Sequence, residues 1–196
     1  MSKRLYVMVL ATFVLLVLAG CSKPPEMEMQ SANAAFEAAR AAEAEAYVPD
    51  AYRAAMDSLN AAMAMKQEQD GKFALLRSYG KAKAMFVKAD AMAKQVSQDA
   101  AAEKEKVKNE VSALLTQAKA ALDAADAALA KAPKGKGTKA DLELIAADLN
   151  ATKAGYDDAT NDFNAGKYLV ARSKAQTVIS KANGIAAEIP MVGKKK

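Results

Sequence analysis

Alanine fills roughly a quarter of this chain and recurs at helical spacing. Ala32, Ala39, Ala42 and Ala46 share one helical face with Phe36. Alanine has the highest intrinsic helix propensity, and the Lys, Glu, Gln, Leu and Met around it rank close behind. Only 9 glycines and 5 prolines occur in 196 residues. The pattern predicts an all-α fold, an elongated antiparallel helical bundle with a long central helix. An alanine side chain buries little apolar area. Such a bundle must therefore form its core by close helix approach, toward the lower end of the usual spacing of about 8–10 Å between axes.

Five helical stretches are expected. The first covers about 29–47 and stops because Pro49 disfavours helical geometry at Val48. The second opens on Pro49, a good first-turn residue, with Asp50 facing the helix dipole. Its stripe is Tyr52, Met56, Leu59 and Met63, and Asp70-Gly71 ends it. The third starts at Lys72 and runs to about Lys131, with Gly80 as a weak point and a reversal conceivable near Ser97–Ala101. Val107, Val111, Leu114, Ala118, Ala121, Ala125 and Ala128 form the stripe of its second half. Pro133-Lys134-Gly135-Lys136-Gly137 reads as a loop, and Thr138 with Asp141 as a variant capping box. The fourth helix carries Leu142, Ile145, Leu149, Thr152, Tyr156, Ala159 and Phe163, and Asn164-Ala165-Gly166 closes it. The fifth, 167–188, points Tyr168, Ala171, Ala175, Val178, Ala182, Ile185 and Ile189 inward until Pro190 stops it.

The order of these features suggests duplication of a three-helix unit. An alanine-rich helix, a proline turn and a striped helix come twice. Gly71-Lys72-Phe73 with Arg77-Ser78 is echoed by Gly166-Lys167-Tyr168 with Arg172-Ser173.

The N-terminus has a different character. Lys3 and Arg4 precede an apolar run of 14 residues, Leu5–Leu18, which is shorter than the roughly 20 needed to cross a bilayer. Leu18-Ala19-Gly20-Cys21 then resembles the lipobox of bacterial lipoproteins. A basic start, a short apolar stretch and small residues before a cut site describe an export signal. The resemblance implies cleavage before Cys21 and attachment of a diacylglyceryl group to its thiol. Residues 1–20 would be a signal peptide, 21–28 a lipidated tether, 29–189 the helical domain and 190–196 a basic tail. Ser22 lacks the aspartate that retains enterobacterial lipoproteins at the inner membrane, which favours the periplasmic face of the outer membrane. The predicted partner is thus a membrane, reached through covalent lipid.

Pro49 with Tyr52, followed by Gly71, Phe73, Ala82 and Ala89, resembles an uncharacterised family of alanine-rich envelope lipoproteins. That likeness implies helical fold and location but no activity.

Catalytic equipment is sparse in the sequence. Histidine is absent and the only thiol is Cys21. This removes His-assisted nucleophilic catalysis and the usual zinc sites. No cofactor, metal site or catalytic residue is expected. Asp157, Asp158 and Asp162 read as a solvated helix face. Net charge is +5, or about +3 without Lys3 and Arg4, too mild to suggest a nucleic-acid partner. Thioethers can bind Cu(I), so Met27-Glu28-Met29 and Met63-Ala64-Met65 offer an alternative, a small-ligand or Cu(I) carrier. Elsewhere Met56, Met85 and Met92 read as gap fillers. The final Lys194-Lys195-Lys196 resembles the end of the major murein lipoprotein, which implies Lys196 as a candidate for attachment to peptidoglycan. The function expected is a non-enzymatic structural or interaction module of the cell envelope, with an envelope protein or peptidoglycan as partner.

Overall fold

The computed structural model describes residues 23–133, 135 and 138–192. Those residues are all-α, with no strand among them. Five long helices follow one another: α1 (Glu26–Ala41), α2 (Pro49–Asp70), α3 (Gly80–Ala130), α4 (Lys139–Asn164) and α5 (Tyr168–Glu188). One helical turn, Ala44–Tyr47, links α1 to α2. The central helix is unbroken through Ser97–Ala101. The chain divides between Glu103 and Lys104 into two compact units.

The division has a local cause. The buried stripe of α3 steps through Val96 and Ala100 and resumes at Val107 and Val111. Helical spacing calls for a core residue at 103 or 104, but Glu103 and Lys104 stand there, half-buried. The apolar seam lapses while the helical backbone continues.

In unit 1 the core comprises Ala32, Ala35, Phe36 and Ala39 of α1, Tyr52, Ala55, Leu59 and Ala62 of α2, and Ala82, Phe86, Ala89, Ala93, Val96 and Ala100 of α3. The Phe36 and Tyr52 rings meet edge-on, 6.3 Å between centroids and 70° between planes. Arg40 Nε donates to the Tyr52 hydroxyl at 3.0 Å. Three expectations need correction here. First, α1 begins at Glu26, three residues early, because Pro25 serves as its N-cap and the Met29 amide already donates to the Pro25 carbonyl. The expected tether 21–28 therefore loses Glu26–Glu28 to the helix. Second, α1 does not run to Tyr47. Glu43 adopts the left-handed conformation, φ 58°, and the rotation buries Ala44 and Tyr47 while exposing Ala46. Third, α2 turns Ala55 and Ala62 into the core and leaves Met56 half-buried and Met63 38 % exposed.

Unit 2 builds its core from Leu122 and Ala125 of α3, Ile145 and Leu149 of α4, and Val178, Ala182 and Ile185 of α5. The α3 stripe uses Leu115 and Leu122, one residue beyond the expected Leu114 and Ala121. Where α4 and α5 meet, a Cβ placed on Gly155 would stand 3.5 Å from Val178, so the two helices approach closely. Thr138 does not cap α4 with its side chain. Its hydroxyl turns back to the loop, donating to the Pro133 carbonyl at 2.9 Å and accepting from the Gly135 amide at 3.0 Å. Pro190 sits inside a 3-10 turn, Ile189–Met191, and Val192 packs on the unit 2 core. The expected free tail thus begins later than Pro190.

The repeat is real in pattern but its expected register is offset. Gly166 has φ +76° and leads directly into α5, where Tyr168 packs on Phe163 at 5.4 Å. Gly71 is right-handed, and Phe73 is exposed. The counterpart of Tyr168 is Tyr79. From Ala82 in α3 and from Ala171 in α5, buried residues follow steps of four, three, four, three and four, each series three residues behind its tyrosine. Unit 1 therefore carries extra chain between glycine and tyrosine, and that chain forms a turn of its own.

Candidate functional site

Cys21 and Lys196 both lie outside the described residues. The first described residue, Lys23, is two positions after Cys21 in the sequence. The described chain enters at one end of unit 1, where the first long helix begins at Glu26.

Three helix ends meet there. Lys66, near the end of α2, reaches Glu26 of α1 at 3.3 Å and Asp70 at 3.0 Å. Lys83, in the first turn of α3, reaches Glu28 of α1 at 2.8 Å. The buried Tyr79 donates its hydroxyl to Asp70. That hydrogen bond, followed by the one from Lys66, holds the Asp70 carboxyl below its ordinary range, and the Tyr79 phenol is raised in return. Likewise the Lys83 hydrogen bond lowers Glu28.

The segment between α2 and α3 is not helical as expected from Lys72, but its ends are pinned. Arg77 donates through Nε to the Lys72 carbonyl at 2.9 Å and through Nη2 to the Asp70 carbonyl at 2.8 Å. The Ser78 amide donates to the side chain of the buried Gln69 at 3.1 Å. Between these clamps Ala74–Leu76 makes a 3-10 turn. Phe73, Leu75 and Leu76 stand 71, 52 and 72 % exposed on it, and Met27 at the start of α1 is 80 % exposed. The sequence does not announce this turn, because an apolar run after a helix end has the pattern of more helix. The available signal was Lys72 and Arg77 bracketing Phe73-Ala74-Leu75-Leu76.

Unit 2 has an open groove of about 820 Å³ between the end of α3 and the start of α4. Leu129, Ala130, Leu142 and Ala146 supply its apolar wall. Its carboxylates are engaged: Asp126 with Lys153 at 2.7 Å and Glu143 with Lys139 at 3.8 Å. Of the three aspartates singled out in α4, Asp157 and Asp158 are exposed. Asp162 is held by Lys174 at 2.6 Å and Lys167 at 3.8 Å, and the Lys174 hydrogen bond lowers its pKa.

No group of three or more potential metal-ligating His, Cys, Asp or Glu side chains occurs among the described residues. Residues two apart on a helix do not face each other. Met63 and Met65, like Met27 and Met29, therefore point to different sides of their helices. No helix among the described residues is long and apolar enough to cross a membrane. No protein family, curated protein or solved structure matches this chain.

Proposed function

We propose that this chain is a lipid-anchored helical protein of the bacterial envelope, seated on the periplasmic face of the outer membrane, with a structural or interaction role and no catalysis. The observation that carries the reading is the placement of Cys21. It follows Leu18-Ala19-Gly20 directly, and a folded helix begins only five residues later, at Glu26. A fully extended Ser22–Pro25 segment would hold the start of α1 within about 18 Å of that residue. One acyl chain binds a membrane marginally, at about 0.8 kcal/mol per buried methylene, while two or three on one residue hold firmly. The helix faces of the two units would then serve as the contact surfaces.

Mass analysis of the wild-type protein isolated from bacterial membranes tests this. The expected N-terminal residue is Cys21 carrying diacylglyceryl, and Cys21→Ser should move the protein to the soluble periplasmic fraction. Retention of residues 1–20, or an unmodified thiol, refutes the anchor. Attachment through Lys196 is checked on the same material by muramidase digestion, where a Lys196–peptide adduct is the required product.

A further inference from the structure

Among the described residues, the three most exposed large apolar side chains are Met27, Leu76 and Phe73. All belong to one end of unit 1. The Glu26–Lys66 and Glu28–Lys83 ion pairs place the start of α1 with the end of α2 and the start of α3, and the turn joins those two helix ends. Single exposed apolar residues are ordinary. Phe73, Leu75 and Leu76, three within four residues and held out on a clamped turn, are not, because a soluble surface gains nothing from them. The clamps themselves are polar and inward: Arg77 ties the turn's base, and Gln69 satisfies the amide at its exit. The charges at this end are complementary to anionic lipid. Glu26, Glu28, Glu68 and Asp70 are engaged by Lys66, Lys83 and Lys72, and with Lys23, Arg77 and Lys81 the cations named at this end outnumber those carboxylates by two. Cys21, the attachment point in the lipid-anchor reading, is two positions before Lys23 in the sequence.

We propose that the Phe73–Leu76 turn, together with Met27, inserts into the membrane interface and docks this end of unit 1 on the lipid surface that Cys21 is attached to. The proposal rests on the lipid-anchor reading. Apolar side chains on a cationic frame enter the headgroup–acyl boundary by about 5–10 Å. The covalent lipid keeps the turn at the surface, so a short insertion is sufficient for orientation. It fixes which way the protein faces, something a flexible single-point anchor does not do.

The chain contains no tryptophan, so an introduced one reports alone. Leu76→Trp reports on the turn. Ala51→Trp is the control, on an exposed position in the first turn of α2, about 29 Å along the helix from Asp70. Both full chains are expressed with their native N-terminus, purified from membranes and reconstituted in phosphatidylethanolamine–phosphatidylglycerol vesicles with brominated acyl chains. The Leu76→Trp emission should shift to the blue and fall at least twofold against non-brominated vesicles, while Ala51→Trp stays unquenched. An unquenched, red-emitting Leu76→Trp in protein that pellets with the vesicles and carries lipid on Cys21 overturns docking and leaves the anchor standing. Unmodified Cys21 overturns both. A blue shift that appears only when an envelope protein is added overturns the lipid as occupant.

Discussion

Leu149→Ala and Ala159→Leu, made separately on α4, test whether the alanine seam of unit 2 is close-packed. Leu149 and Ala159 are both buried. Leu149→Ala removes three carbons from the core formed with Ile145, Val178 and Ala182. Transfer alone accounts for about 2.4 kcal/mol at about 0.8 per methylene. A cavity contribution adds to it, because the Val178 side chain already lies against Gly155, 3.5 Å from where a Cβ would stand, and leaves the seam little room to collapse. The expected loss is about 3–4 kcal/mol, within the range of roughly 2–5 for such changes. Ala159→Leu adds the same three carbons. In a slack seam they would be buried at a gain of up to about 2 kcal/mol; in a close-packed one they force side chains and backbone apart at a cost of about 1–3 kcal/mol. We expect the cost. The exposed Ala154→Leu on the same helix should stay within about 0.5 kcal/mol of wild type. Urea unfolding followed by far-UV circular dichroism gives the values. With a slope of about 2 kcal/mol/M, Leu149→Ala should lower the midpoint by about 1.5–2 M. Stabilisation by Ala159→Leu would refute close packing as the basis of this core.

Two further perturbations follow from the same geometry. Gly155→Ala should stabilise unit 2 by about 0.5–1 kcal/mol, since alanine is the better helix former and its Cβ meets Val178 at ordinary contact distance. Gly166→Ala should cost about 1 kcal/mol because its φ is +76°; equal effects at the two glycines would contradict the assignment. The third concerns acid. Asp162 has a pKa lowered from the ordinary 3.8, chiefly by the Lys174 hydrogen bond. A depressed carboxylate contributes stability above its unfolded pKa and loses it as pH falls through its folded one. The Tm difference between wild type and Asp162→Asn should therefore be present at pH 7 and shrink below about pH 3.8, and a pH-independent difference would sink the ion pair as its cause.

The helical class and the proline and glycine boundaries near Pro49, Gly71 and Gly166 were legible because they depend on local propensity. Helix rotation was less so. In α2, Tyr52 and Leu59 belong both to the methionine stripe and to the alanine stripe, and the two differ by one residue. Sequence periodicity cannot choose between them, whereas packing did, placing Ala55 and Ala62 inward. The break at Glu43 was hidden for another reason. Glutamate carries no signal for the left-handed conformation, which asparagine or glycine would have given. The unit boundary between Glu103 and Lys104 was not read from the sequence, although its cause is local. The run Glu103-Lys104-Glu105-Lys106 interrupts the seam without weakening the helix, since each of these residues is a good helix former.

The same distinction explains why the turn at Phe73–Leu76 escaped notice. Leucine and alanine are strong helix formers, and nothing within Phe73-Ala74-Leu75-Leu76 opposes a helix. What prevents it is a set of non-local polar bonds. Asp70 is already committed to Tyr79 and Lys66, and Arg77 closes across the carbonyls of Asp70 and Lys72. A helix through this segment would take those carbonyls for its own amides and leave the guanidinium without them. Apolar content normally predicts burial, but here the clamp decides the backbone and the apolar groups are carried outward with it. Arg77→Ala therefore separates the two influences. Losing the clamp should let α3 extend toward Lys72, raising the helical signal at 222 nm while the exposed leucines rotate toward the bundle. An Arg77→Ala chain with unchanged helicity would show that the turn is set by something other than its arginine.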